Sequence, residues 1–264
     1  MQDFRHQYTP PVISEDNMIA EYDGNDDEYL GQPQAVPAGH ALQWLSDAWL
    51  LFKQQPGMWI LAYLVFFGLS MLLSFIPLIG GLLQIFLVMV LQAGFMYACE
   101  QVRTEGRFEL GDIFAGFKNN FGNLAFAGIL YLVGTIVIVM VAMLLFGGGA
   151  ALTERASLEA NSPVFVILQL IFVPIILTLF VLLMATFYLA PALIILQDEP
   201  VFNALKLSRK GFTRNIWGAL LATLIMAALS IAAAIPLFLG FLILGPIMMI
   251  MCYAVYRDLF FAEA

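Results

Sequence analysis

The chain has 264 residues and a formal net charge of −8, with 62% hydrophobic and only 11% charged residues. A soluble domain carries about 25% charged residues. The composition therefore excludes a protein that buries its apolar surface in one globular core, and lipid has to solvate the remainder.

Residues 1–38 hold eight acidic residues against the single basic Arg5, together with Pro10, Pro11, Pro33 and Pro37. Such a segment buries too little apolar area to offset its ordering entropy, so a disordered acidic leader is expected. It carries most of the net charge, and the rest of the chain is close to neutral. The first apolar run begins only near Trp44, the wrong order for a secretory signal peptide.

Beyond the leader the charges are segregated. Asp, Glu, Lys and Arg are missing from Gln54 to Cys99, Asn119 to Thr153, Ala160 to Gln197 and Asn215 to Tyr256. A spanning helix needs roughly 20 apolar residues, so the first and last stretches hold two spans each. Each has a breaker at its centre, Ile76-Pro77-Leu78-Ile79-Gly80-Gly81 in one and Ile235-Pro236-Leu237 in the other. The spacing predicts spans at 58–76, 78–98, 124–146, 164–190, 216–235 and 237–256, with a polar loop from Gly147-Gly148-Gly149 to Pro163. A kink is expected at Pro174 and a bend at Pro191. In lipid the backbone must pair internally, and no strand-like alternation is present, so the fold class is all-α: a polytopic membrane domain over 39–264.

Three similar segments precede the paired spans: Leu45 to Lys53, Leu110 to Lys118 and Leu205 to Thr213. Aligned on Phe52, Phe117 and Phe212, each has Leu seven residues earlier. In the third, Val201, Leu205, Ser208 and Phe212 share one helical face, while Asn203, Lys206, Lys210 and Thr213 share another. A helix with one apolar and one cationic face lies in the membrane interface. The reading is three hairpins, each preceded by an interfacial amphipathic helix, repeating over 41–98, 108–190 and 200–257 about an axis along the membrane normal.

Ten of the eleven basic residues fall on the side shared by both termini, and only Arg155 falls on the other. The positive-inside rule makes that side cytoplasmic. Trp44, Trp49, Trp59 and Trp217 fall near the same boundary, where amphipathic rings anchor.

Catalysis needs nucleophilic or titratable groups held together, and the chain offers few. The only histidines are His6 and His40, in or beside the leader, so no metal site inside the membrane and no cofactor are expected. Cys99 and Cys252 read as packing thiols. Gln84, Gln92 and Gln169 are the candidates for a polar bundle interior. Lys118, Lys206, Arg209, Lys210 and Arg214 form a basic cluster suited to anionic lipid headgroups. Arg257 and Asp258 are expected to cap the bundle. Membrane lipid and envelope proteins are the expected partners, and nucleic acid is not.

Trp44-Leu45 with Phe52, Ile76-Pro77-Leu78-Ile79-Gly80, Phe114-Ala115-Gly116-Phe117, Ala190-Pro191-Ala192-Leu193, Asn203-Ala204-Leu205 with Ser208, and Tyr256-Arg257-Asp258-Leu259-Phe260 occur in that order. Together they resemble an uncharacterised family of six-helix bacterial inner-membrane proteins related to the YciC-like proteins. The resemblance covers residues 40–261 and implies a role in the cell envelope, without any catalytic residue. The functional expectation is a non-enzymatic inner-membrane protein that supports envelope integrity through lipid or protein contacts. The alternative is a transporter or channel for lipid or another amphipathic solute.

Overall fold

The structure is a computed structural model and describes residues 28–77, 79–155 and 163–262. Leader residues 1–27, including Arg5 and His6, and the loop residues 156–162 lie outside the described residues. The helices are α1 (His40–Gln54), α2 (Pro56–Ser74), α3 (Ile79–Glu105), α4 (Ala115–Lys118), α5 (Phe121–Arg155), α6 (Pro163–Phe187), α7 (Ala190–Gln197), α8 (Val201–Arg214), α9 (Ile216–Ala234) and α10 (Phe241–Phe260). Among the described residues there is no strand, only one isolated bridge between Tyr29 and Phe261. Six helical stretches are long and apolar enough to cross a membrane. The chain is a multi-pass α-helical membrane protein.

Two spans form the centre. Of the most apolar window in each span, 67% of α10 and 44% of α3 is buried, against none of α5. α10 packs against α1, α2, α3 and α9, while α3 takes α2, α5 and α7 on its other sides. α1 lies along α10 with Ala41, Trp44, Ala48 and Phe52 buried, a seam spaced by three and four residues.

Several expectations change here. α5 continues through Gly147-Gly148-Gly149 to Arg155, where a turn was expected. The second of the three similar segments is a 3₁₀ turn (Leu110–Phe114) followed by the four residues of α4. It docks onto α3 at Gly94, where a Cβ would lie 1.8 Å from the Ile113 carbonyl oxygen. Trp44 and Trp59 are 1% and 0% exposed, so they are core residues, whereas Trp49 and Trp217 are exposed.

Residues 28–38, expected to belong to the leader, form an extended strap across one end of the bundle. Leu30 N–H donates to Phe260 O (2.9 Å) and Gln34 N–H to Leu259 O (2.8 Å). The Gln34 amide donates to the carbonyls of Asp258 and Phe261 (2.8 and 3.0 Å). The composition argument failed because a few side chains, Tyr29 against Phe260 and Phe261 with Pro33 and Val36 on the core, are joined by backbone pairing to the unpaired groups of α10's last turn.

Candidate functional site: a cavity beside a broken span

The fourth span is interrupted at Tyr188 and Leu189, between α6 and α7. Pro191 explains the position. It has no N–H, and its ring crowds the carbonyl four residues back, that of Phe187. The expected bend at Pro191 is thus displaced towards the N-terminus, while α6 runs unbroken through Pro174.

The break is held open by side chains from three helices. The Ser208 hydroxyl of α8 donates to Ala185 O (2.8 Å) and accepts from Leu189 N–H (3.0 Å). Those two backbone groups would bond each other in a continuous helix, so Ser208 occupies a rung of the ladder. Ser208 is fully buried. From α3 and α10, the Gln92 amide and the Cys252 thiol both donate to Tyr188 O (3.3 Å each).

A half-enclosed cavity of about 450 Å³ lies against this break. Its walls are Met184, Tyr188 and Leu189 at the break, Phe212 of α8, Met248, Met251, Val255 and Leu259 of α10, and Trp44 of α1. α9 supplies Ala219, Ala222, Thr223, Met226, Ala227 and Ser230, with Asn215 just before it. These α9 positions fall on one helical face, and the small side chains at all of them but Met226 leave the space. α6 and α9 make no more than marginal contact with each other. Tyr188 and Met248 are 39% and 44% exposed in the wall, so the cavity is open on that side.

Four of the five polar side chains in the wall are already engaged. Asn215 accepts from Val36 N–H (2.8 Å) and donates to Gln34 O and Gly211 O (both 2.9 Å). Thr223 donates to Ala219 O (2.8 Å) and Ser230 to Met226 O (2.7 Å). The Trp44 indole N–H donates to Asp258 (2.5 Å). The cavity therefore offers apolar area and four flexible methionines, which suits hydrocarbon of adaptable shape.

Asp258 also meets His40 Nδ1 at 3.1 Å, so it ties α10 to α1. Arg257 stacks 3.8 Å over the Phe261 ring. Beside them Glu100 accepts from Tyr253 (2.6 Å) and Arg103 (2.5 Å), joining α3 to α10. Burial and the Asp258 charge raise the Asp47 carboxyl above its usual range, against a smaller lowering by His40. Burial and the Glu199 carboxylate push the Tyr29 hydroxyl upwards. Among the described residues no group of three or more His, Cys, Asp and Glu is placed to hold a metal.

The expected site residues separate. Gln169 is exposed on α6 and not in the interior; it sits on a helix that packs mainly on α5 and α8. Gln84 is half-buried with its carbonyl oxygen unpaired. Gln92 alone of the three works at the break, and none of them lines the cavity. Lys206, Arg209, Lys210 and Arg214 share α8, while Lys118 sits on α4, which packs on α3 and α5. Lys210 donates to the Gln32 side chain and Arg214 to Pro33 O (2.7 Å), so both hold the strap.

Reasoning from sequence missed His40, Trp44 and Asn215. The signal for Asn215 was present, since it continues the buried face of α8 seven residues after Ser208. No protein-family model matches the chain, and no curated protein and no solved structure matches it.

Proposed function

We propose that this is a non-enzymatic bacterial inner-membrane protein, related to the YciC-like family, that supports the cell envelope by holding membrane lipid. In this reading the strap, α1 and α8 lie on the cytoplasmic side. The six spans form three hairpins, with α1, the 110–118 segment and α8 lying before them as interfacial elements. The ten-to-one distribution of basic residues supports that orientation.

One observation carries the lipid reading. An open, mostly apolar cavity of about 450 Å³ stands beside a broken span, and four of the five polar side chains in its wall, those of Trp44, Asn215, Thr223 and Ser230, already donate hydrogen bonds within the protein. A polar ligand entering it would lose most of its hydrogen bonds to water, with few groups in the wall to replace them. A hydrocarbon chain would not.

Native mass spectrometry of the full chain released from its own membrane tests this. Ala227→Phe fills the cavity from a residue that is exposed in its wall. The wild type should retain lipid and the variant should lose most of it. Equal retention would overturn the reading.

A further inference from the structure

We infer that the lipid held in this cavity carries an anionic headgroup, and that Arg209, with Lys206 one turn before it, is the seat of that headgroup. The inference rests on the cavity being a hydrocarbon site and adds the polar end of the ligand.

The four cations of α8 divide by partner. Lys210 and Arg214 are committed to the strap at Gln32 and Pro33. Lys206 and Arg209 are exposed and have no partner among the described residues. The carboxylates near the start of α8 are engaged elsewhere: Glu199 with Asn203 (2.5 Å) and Tyr29 (3.3 Å), Asp198 with Asn120 (2.5 Å). No carboxylate among the described residues forms a salt bridge with an α8 cation.

Position selects Arg209. Residues three apart are neighbours on a helix surface, and side chains lean towards the N-terminus. Arg209 is therefore adjacent to Phe212, which is a cavity wall. The strap lies on the opposite flank of α8, against Lys210, Gly211 and Arg214, and leaves Arg209 uncovered. A chain lying in the cavity along Phe212 places its glycerol end within one helical turn of the guanidinium. Arginine binds phosphate oxygens in a bidentate fork.

The test uses the tryptophan in the cavity wall. In a Trp49→Phe, Trp59→Phe, Trp217→Phe variant, Trp44 is the only emitter left. The protein is reconstituted in phosphatidylcholine vesicles with a small fraction of chain-brominated phosphatidylglycerol or chain-brominated phosphatidylcholine. Phosphatidylglycerol should quench Trp44 at a lower fraction, by about fivefold for each cation in the seat. Arg209→Gln should remove about fivefold of that preference while leaving quenching by phosphatidylcholine unchanged. Equal quenching by both lipids in the unsubstituted seat overturns the headgroup inference and leaves the hydrocarbon site standing. No quenching by either overturns both. Loss of quenching on adding inorganic phosphate would assign the seat to a free anion and overturn a lipid site. If the triple variant does not fold, native mass spectrometry of the otherwise unaltered chain with and without Arg209→Gln reads the same preference as retained lipid.

Discussion

The two ends of this bundle are built by different rules. At the end holding the strap, α1, α7 and α8, the chain packs as a soluble core does, with Trp44, Trp59, Phe95, Tyr253, Tyr256 and Phe260 all nearly or fully buried. At the other end, Leu72, Phe75, Leu144, Ile231 and Leu237 are each more than 60% exposed. The first end is held by burial, by carboxylate-centred hydrogen bonds and by close backbone contacts. The second has apolar side chains already in their preferred solvent, so packing there adds little.

Substitutions with the largest expected effect sharpen that contrast. Gly94→Ala drives a methyl into the Ile113 backbone and should cost about 3 kcal/mol. Gly68→Ala meets nothing within 4 Å and should be neutral or slightly stabilising, because alanine is the better helix former. Thermal unfolding in mild detergent, followed by tryptophan fluorescence, separates the two. Equal losses would show that the far end is packed more tightly than its exposure indicates.

Next comes the bond network around Asp258. Asp258→Ala leaves the buried Trp44 indole N–H unpaired and releases His40, and should cost about 2 kcal/mol. Ser208→Ala asks a narrower question about the break. If the ladder cannot close, Ala185 O and Leu189 N–H are left without partners, for a loss of about 1–3 kcal/mol. A neutral result would mean that α6 and α7 rejoin, and lipid retention should then fall together with the reshaped cavity.

Much of the fold was legible because the membrane imposes a simple constraint. Long uncharged stretches and their proline breakers gave six spans within a few residues, except at the ends of α3, α5 and α10, where the helices continue past the expected boundary. The same constraint hid the site. A cavity made by Ala219, Ala222, Ala227 and the methionines differs from ordinary lipid-facing surface only in which helices face it, and periodicity does not report that. Ser208 could be placed on the apolar face of its helix, but not at the break, because its partners lie 19 and 23 residues away, in the break itself and near the end of α6. The strap was missed for a related reason, since backbone pairing to α10 leaves no compositional trace.

The smallest effect concerns Asp47, on α1 at the packed end. Its carboxyl is shifted upwards, first by burial and then by the neighbouring Asp258 charge. A carboxyl whose pKa is higher folded than unfolded favours the fold fully only when protonated, below its unfolded value. That contribution is lost as pH rises through the folded value, so at neutral pH the ionised Asp47 weighs against the fold. Asp47→Asn removes the charge and keeps the shape. It should raise the unfolding midpoint slightly at neutral pH, and the gain should vanish as pH falls through the carboxylate range. A midpoint that drops at neutral pH would mean that His40, the one group lowering the shift, outweighs burial and Asp258. The packed end would then owe more of its stability to the charge on α1 than to excluding water from it.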